Sequence, residues 1–276
     1  MSMIRSKLNH NKYLYQIYLS GKGKRNIEKV RAYALESCRV FPKHILHMRD
    51  YIEPIEKNGN IVSLKSGGKM YVPYFKTDAI QNVIVNSDDY YEIDTLVDLK
   101  DYIPEKAVIM DIGANIGNHT VFFSNVCKAK KVYSFEPIQD TFAILEKNIS
   151  INGLEGTVAA YNVAVGSKRG NAAVKSFDEK NIGGTALVEN SGGEISVVAL
   201  DDIGFEEKID FIKMDVEGFE RQALKGGEKL FDADRPSVFV EIQKENYPWV
   251  TAFFERHGYY LKKAFPCDNY LFLPFA

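Results

Sequence analysis

The sequence has little of several features, and each scarcity excludes a class of protein. It has three cysteines among 276 residues, Cys38, Cys127 and Cys267, which are far apart and odd in number. Such spacing indicates neither a disulfide framework nor a zinc site, so we expect reduced thiols in a cytoplasmic protein. No apolar run approaches the roughly 18 residues that a membrane span requires. The first residues lack an apolar segment followed by a small-residue cleavage site, and no signal peptide is expected.

The formal net charge is only −2, so the whole chain has no electrostatic bias toward nucleic acid. The charge is uneven, because residues 1–49 hold 11 Lys and Arg residues against two acids, a net charge of +9. Apolar residues at three- and four-residue steps predict two short helices here, within 1–20 and 27–41. We interpret their basic faces as solvated. The alternative is contact with an anionic membrane surface or an acidic partner.

The chain is organised around one strand-to-helix turn. An apolar run, Val108–Met110, leads into Asp111–Gly117 and then into a helical pattern, as in the first half of a βαβ unit. Such a turn points backbone N–H groups and a helix N-terminus at a ligand. A second predicted strand, Lys131–Phe135, ends at Glu136, 19 residues after Gly117. A carboxylate at this position accepts the hydroxyls of a ribose, so the pair predicts a nucleoside-containing cofactor.

The turn lacks the third glycine of a dinucleotide-binding fingerprint, since its spacing is Gly113-x-x-x-Gly117. Asp111 at the strand end would repel a pyrophosphate but suits the ammonium or sulfonium of S-adenosylmethionine. The pattern therefore favours a methyl-donor cofactor over a nicotinamide-dependent oxidoreductase. A non-catalytic binding module with a degenerate fold is a further alternative. Methylation of nucleic acid is not expected, because Asp215–Gly218 is acidic and unsuited to phosphate.

Several blocks in this sequence resemble the FkbM-type methyltransferases in order and spacing over roughly residues 90–245. The pair D-x-G-A-N-x-G and D-x-E-G-x-E is the most specific. The blocks are DIGANIGNHT at 111–120, FEP at 135–137, NVAVG at 162–166, NIGGTAL at 181–187, LDDI at 200–203, IKMDVEGFERQALKGG at 212–227 and RPSVFVEI at 235–242. The resemblance implies use of S-adenosylmethionine and O-methylation of a small-molecule or glycan hydroxyl, most often on a sugar.

The resemblance also implies a class I, Rossmann-like α/β fold, and the predicted elements agree with it. About seven mostly parallel strands with helices on both faces form the domain at 89–276, after an N-terminal helical and β-hairpin extension at 1–88. The seven predicted strands of the domain are Val108–Met110, Lys131–Phe135, Val158–Val163, Ile209–Asp215, Ser237–Ile242, Tyr259–Ala264 and Asn269–Leu273. The hairpin strands are Asn60–Leu64 and Lys69–Pro73, and the polar, glycine-rich stretch 168–193 and the residues after it hold two short possible strands, Ala172–Phe177 and Ile195–Val198. The predicted helices are Ala79–Val85, Glu92–Leu99, Ile138–Ile151, Gly218–Phe231 and Tyr247–His257.

The predicted cofactor residues combine the turn, the strand ends and positions implied by the resemblance. Glu92 is expected to accept the methionine ammonium and Asn162 to bind the adenine edge, both from the resemblance; a surface acid and a turn residue are the alternatives. The full set is Glu92, Asp111, Gly113, Ala114, Asn115, Gly117, Asn118, Thr120, Glu136, Pro137, Asn162, Val163 and Asp215.

The predicted catalytic residues are those able to take a hydroxyl proton. Asp215 and Glu217 lead this set, with helix capping as their alternative role. Glu241 is a candidate acceptor-binding residue, and His119 is either a base or an ordinary helix residue. No metal is required by the spacing, although clustered acids can hold a divalent cation. The pair His44 and His47 lacks a nearby acid or cysteine to complete a site.

Overall fold

The computed structural model describes residues 55–176 and 184–275. The chain divides into two compact units. The larger comprises 47–265 and 269–276 and contains every element given below. Of the smaller unit, 1–46 with 266–268, the structure describes the turn at 266–268. The predicted basic helices within 1–49, with His44 and His47, lie outside the described residues.

The described chain alternates strands and helices. The strands are β1 (Ile61–Ser63), β2 (Lys69–Tyr71), β3 (Val108–Ile112), β4 (Lys131–Phe135), β5 (Val158–Tyr161), β6 (Ala164–Val165), β7 (Gly170–Ser176), β8 (Ala186–Glu189), β9 (Ile195–Val198), β10 (Phe211–Met214), β11 (Ser237–Glu241), β12 (Tyr259–Phe265) and β13 (Asn269–Pro274). The helices are α1 (Ala79–Ser87), α2 (Ile93–Lys100), α3 (Asn118–Asn125), α4 (Gln139–Ile151), α5 (Glu220–Lys225), α6 (Glu228–Asp234) and α7 (Tyr247–Arg256), with a 3₁₀ turn at Leu200–Asp202.

The central sheet has seven strands in the order β12-β13-β11-β10-β3-β4-β5, which confirms the predicted mostly parallel α/β fold. Strands β11, β10, β3, β4 and β5 run parallel, β13 runs antiparallel to its neighbours β11 and β12, and β12 at the edge therefore points the same way as the parallel strands. All five residues of β3 are buried. Ile109 packs into the apolar core on one face, while Met110 packs into the core on the other. Both faces of the sheet are therefore covered, as a continuous apolar strand requires.

The predicted β-hairpin is confirmed, since β1 and β2 pair antiparallel around Gly67 and Gly68. Hydrogen bonds from two asparagines, one within α4 and one directly after it, hold the hairpin against this helix. Asn152 exchanges two hydrogen bonds of 2.8 Å with the backbone of Lys69, and Asn148 bonds the backbone of Tyr71 in the same way. The hairpin covers one side of α4. The predicted boundary between the N-terminal extension, 1–88, and the α/β domain, 89–276, stays a prediction.

A second sheet of four strands, in the order β6-β9-β7-β8, is inserted in the chain between β5 and β10 of the central sheet. The predicted strand Val158–Val163 is too long, because β5 ends at Tyr161. Asn162 and Val163 form the bend that leads into β6, which pairs with β9. The sequence did not predict β8, whose residues Ala186–Glu189 are half-buried or exposed and carry a weak apolar pattern.

The single helix predicted over Gly218–Phe231 is wrong, since two helices, α5 and α6, replace it. They meet at Gly226 and Gly227. A Cβ atom on Gly226 would lie 1.9 Å from the carbonyl oxygen of Gly166, so only glycine permits this approach. The break lets the chain pass close under the end of β6.

Two sequence-based expectations concern the environment of the protein. Cys127 is a free thiol and Cys267 is disulfide-bonded, so the expectation of reduced thiols is wrong for Cys267. Spacing along a chain does not reveal which cysteines meet in the fold. Across the two described ranges, no helix combines the length and apolar character needed to cross a membrane.

Candidate active site

The polar residues converge where the strand order reverses. The chain runs from β3 outward through β4 and β5, then returns to β10 on the other side of β3. A crevice forms outside the carboxyl ends of the strands at such a switch point. Ile112, Phe135, Tyr161 and Met214 are in register, so the residues that follow them emerge at one edge of the sheet.

The turn after β3 is held in an unusual backbone conformation. Gly113, Asn115 and Gly117 have φ values of 76°, 51° and 88°. The N–H groups of Gly113 and Ala114 both donate to the carbonyl oxygen of Phe135 at 2.9 Å. A Cβ atom on Gly113 would lie 1.8 Å from the carbonyl oxygen of Asp215, so the turn rests directly on the end of β10.

Glu136 is tied to the same turn. Its two carboxylate oxygens accept the N–H groups of Asn115 and Ile138 at 2.9 and 2.8 Å. The side chain is 6% exposed, and burial raises its pKa to about 7. Asn162 donates to the carbonyl oxygens of Glu136 and Pro137, which brings the end of β5 beside the end of β4. Val163, the next residue, is half-buried at this bend.

Asp111 lies beneath the turn in a fully buried polar network. Thr120 Oγ1 donates to Asp111 Oδ2 at 2.6 Å and lies 2.8 Å from Ser134 Oγ. Lys213 Nζ lies 3.3 Å from Asp111 Oδ1, and both side chains are almost completely buried. Thr120 therefore supports Asp111 from below, and Lys213 balances its charge.

His119 is buried on α3, one residue before Thr120. Burial and the positive charge of Lys213 lower its pKa to about 3, against a smaller opposing effect of Asp111. A ring with so low a pKa is neutral at physiological pH and a weak proton acceptor. The prediction that His119 acts as a base therefore finds no support in its lowered pKa.

Asn118 joins the turn to the segment before α2. Its side-chain oxygen accepts the N–H of Tyr91 at 2.9 Å, and its amide donates to the carbonyl of Tyr91 at 3.1 Å. This pairing fixes the backbone next to Glu92, which has a φ of 58°. Asn118 positions the Tyr91–Glu92 segment beside the crevice.

Four carboxyl groups, Glu92, Asp215, Glu217 and Glu241, form what we call the acid cluster. All four side chains are half-buried. This partial burial is the main cause of the raised pKa in each of them, and repulsion from Asp215 adds to it in the other three. The pKa is about 7 for Glu92 and Glu217 and about 10 for Glu241. At neutral pH the cluster thus holds both protonated and ionised carboxyls.

The raised pKa of Glu241 predicts how stability depends on pH. Between the ordinary pKa of a glutamate, about 4.3, and the folded value of about 10, the folded state binds more protons than the unfolded state. Stability therefore falls as pH rises through this range. Glu241→Gln is expected to flatten the fall in Tm between about pH 5 and pH 9, and to raise Tm at pH 8 by about 2–4 °C for each kcal/mol regained. Thermal melts across this pH range measure the effect.

The control for this prediction is Glu255→Gln, which neutralises an exposed glutamate of α7. The Tm of this variant should fall with pH as steeply as the Tm of the unmodified protein. If the Tm of both variants falls equally steeply with pH, the assignment of a half-buried, protonated Glu241 is contradicted.

Glu217 forms one wall of an open cleft of about 390 Å³ between the β7–β8 strands and the loop after β11. Gln243 donates to Glu217 Oε2 at 3.3 Å. Buried Glu220 accepts the N–H of Gly218 at 2.9 Å and bonds the side chain of Asn246. The lining consists of Lys175, Ser176, Gly184, Ala186, Leu187, Glu217, Gly218, Gln243, Glu245 and Asn246. None of these described residues is aromatic, and most carry hydrogen-bonding groups.

The sequence did not single out Lys213 as a site residue, whereas the family resemblance implies that Tyr91, next to Glu92, lies near the cofactor. Lys213 stands inside the apolar strand Phe211–Met214, where a buried charge needs a partner. A lysine inside an apolar strand was therefore the feature of the sequence that could have identified this site residue. Tyr91 is half-buried and faces Glu92, Glu241 and Asp215, and burial raises its pKa above the ordinary value. Within 55–176 and 184–275, no group of three or more His, Cys, Asp or Glu side chains is arranged to hold a metal ion.

A seven-stranded sheet with this order, a glycine turn after its first parallel strand and acids at the switch point define a Rossmann-like α/β fold. Comparison with known proteins makes the assignment specific. Residues 111–261, more than half of the chain, match the methyltransferase FkbM domain. The chain therefore belongs to the FkbM methyltransferase family and is a methyltransferase.

Individual relatives agree with this family. Hexuronic acid methyltransferase AglP of Haloferax volcanii is 30% identical over 192 residues, 67% of this chain and 76% of that protein. Methyltransferase sdnD of Sordaria araneosa is 27% identical over 195 residues, 57% of this chain and 75% of that protein. The crystal structure of methyltransferase FkbM from Methylobacillus flagellatus KT superposes with a TM-score of 0.46 at 22% identity, over 61% of this chain and 44% of that one.

Proposed function

We propose that the protein transfers a methyl group from S-adenosylmethionine to a hydroxyl group of a small molecule or glycan, with a sugar as the acceptor. The observation that carries the proposal is the position of Glu217, which belongs to the acid cluster and also lines the polar cleft. A carboxyl group of the acid cluster thus borders a space suited to a molecule rich in hydroxyl groups. The name of one relative, a hexuronic acid methyltransferase, supports a sugar acceptor.

The residues around the turn fit S-adenosylmethionine. Asn115 Oδ1 is buried, and no described residue donates a hydrogen bond to it, so it is available to a ligand donor. Glu136 has lone pairs beyond those used by two backbone N–H groups, and would hold the ribose hydroxyls. Glu92 and Asp111 would face the methionine end, and Asn162 with Val163 the adenine. When bound, this cofactor supplies a methyl group already activated by a sulfonium.

The chain's own residues prepare the acceptor. A sugar hydroxyl is a weak nucleophile until its proton leaves, and a positioned carboxylate contributes about 100- to 10,000-fold by taking that proton. Asp215 has the right position, because its side chain is 35% exposed at the crevice while Oδ2 lies 3.8 Å from the Lys213 ammonium. We assign proton removal to Asp215. Glu217 and Glu241 would accept hydrogen bonds from, or donate them to, other acceptor hydroxyls, which holds the reacting oxygen in place.

The hydrogen-bonding side chains among the described lining residues, Lys175, Ser176, Glu217, Gln243, Glu245 and Asn246, support an acceptor rich in hydroxyl groups. Nucleic acid is not part of the proposal, since the acid cluster would repel phosphates. The proposal includes the cytoplasmic location expected from the sequence.

Calorimetric titration with S-adenosylmethionine, S-adenosylhomocysteine and NAD tests the cofactor. We expect micromolar binding of the first two and no binding of NAD. Purified protein that binds the methyl donor is then incubated with hexuronic acids, neutral sugars and catechols, and methyl transfer is followed by mass spectrometry. Methylation of catechols alone would contradict the sugar acceptor, and failure to bind any of the three cofactors would favour a non-catalytic module.

A further inference from the structure

Lys213 is a buried cation at the centre of the site. It lies on β10 in register with Asp111 on β3, and its side chain is 3% exposed. Its ammonium group has three N–H donors and reaches three oxygens in the site. Nζ donates to the carbonyl oxygen of Gly113 at 2.6 Å, and lies 3.3 Å from Asp111 Oδ1 and 3.8 Å from Asp215 Oδ2.

These contacts join two parts of the site that have different tasks. Gly113 and Asp111 belong to the turn proposed to hold the cofactor, whereas Asp215 belongs to the acid cluster that borders the cleft. The link is rigid, because Gly113 also packs against the carbonyl group of Asp215 and no side chain fits between them. One ammonium group thus sets the distance between the turn and the end of β10.

The acids around Lys213 also require a cation at this position. Burial of an ammonium is costly unless acids surround it, and here Asp111, Asp215 and Glu241 outweigh the effect of burial and raise the pKa of Lys213. The groups that face Asp215 are the other three acids of the cluster, Asp111 and Tyr91. Without the ammonium, the carboxyls would gain protons to relieve their mutual repulsion.

We infer that Lys213 is a positioning residue that holds the Gly113 turn against β10 and keeps Asp215 ionised for its work on the acceptor. The first part concerns the cofactor turn alone. The second part rests on the proposed function, in which Asp215 accepts the hydroxyl proton. The two parts predict different consequences when charge and hydrogen bond are removed separately.

Two variants separate these roles. Lys213→Met removes both the charge and the donor to Gly113, whereas Lys213→Gln removes the charge and keeps an N–H donor. Carbon-detected NMR of the side-chain carboxyls, with Asp215 assigned by Asp215→Asn, gives the pKa of Asp215 without any cofactor or acceptor. An opposite charge nearby lowers the pKa of a carboxyl by about 1–3 units, so both variants should raise the Asp215 midpoint by about that amount.

Calorimetry with S-adenosylhomocysteine measures how tightly the Gly113 turn binds its ligand. Lys213→Met should weaken binding by about tenfold, the cost of one hydrogen bond to a charged donor, and Lys213→Gln should weaken it less. Lys229→Met, on the exposed face of α6, should leave both readouts unchanged. Melting curves establish whether each variant folds. If Lys213→Met does not fold, Lys213→Gln alone tests how the charge affects the pKa of Asp215.

The outcomes are distinct. An unmoved Asp215 midpoint in the folded variants would overturn the charge role, and unchanged binding by Lys213→Met would overturn the positioning role. Failure of both variants to fold, with Lys229→Met stable, would reduce Lys213 to a structural residue and overturn the inference. If the unmodified protein binds no S-adenosylhomocysteine, the proposed function fails, while the NMR titration still decides the effect of Lys213 on Asp215.

Discussion

Glu136→Ala is expected to weaken binding of S-adenosylmethionine by about 100-fold or more. The variant removes the carboxylate that we assign to both ribose hydroxyls, and hydrogen bonds to a charged group contribute about 1.5–3 kcal/mol each. It also frees the N–H groups of Asn115 and Ile138, so the turn loses its attachment to β4. Calorimetric titration of the variant against the unmodified protein measures the loss.

Glu146→Ala is the matched control, because it removes the same side chain from the exposed face of α4. It should bind the cofactor as the unmodified protein does. Circular dichroism and melting curves distinguish a local loss from unfolding. Retention of full affinity by a folded Glu136→Ala protein would refute the ribose assignment and return the role of Glu136 to fastening the turn.

Asp215→Asn is expected to lower turnover by about 100- to 10,000-fold while changing cofactor affinity by much less. Asparagine has nearly the same shape but cannot take up a proton, so the contribution of general-base catalysis is lost. Burial raises the pKa of Asp215, with repulsion from Asp111 acting in the same direction and Lys213 opposing both. Activity should therefore rise with pH as the carboxyl ionises, and the variant should lose this limb of the pH profile.

Steady-state rates with the acceptor found by mass spectrometry, together with calorimetry, check this prediction. Asp202→Asn, an exposed acid in the 3₁₀ turn, serves as the control and should keep normal turnover. Equal losses of turnover and cofactor affinity in Asp215→Asn would make Asp215 a cofactor residue instead. A normal rate would direct attention to Glu217, which lies on the cleft.

Much of the fold could be read from the sequence because its signals are local. Apolar runs such as Val108–Met110 mark strands that are buried on both faces, and the glycine turn marks the βαβ unit. The expectation of about seven mostly parallel strands follows from such signals and from the family resemblance. The break at Gly226 could not be predicted in this way, because it depends on the approach of Gly166 from a distant part of the chain.

The site was less predictable for the same reason. The acids could be placed at strand ends from local patterns, but their ionisation depends on neighbours that only the fold brings close. Lys213 illustrates the difference: in the sequence it is one charged residue in a short strand. In the structure it contacts oxygens from Gly113, Asp111 and Asp215. The bond between Asn118 and Tyr91 likewise joins segments whose proximity no spacing rule predicts.

The four-stranded sheet bears on how relatives of this protein diversify. In the described chain, β8 pairs with β7 alone, and β7 is joined through β9 to the short β6. No strand of this sheet is hydrogen-bonded to the seven-stranded sheet. Changes confined to β7 and β8 would therefore leave the strand pairing of the seven-stranded sheet in place. Grafting the β7–β8 region of a relative onto this scaffold is a direct route to a methyltransferase with a new acceptor.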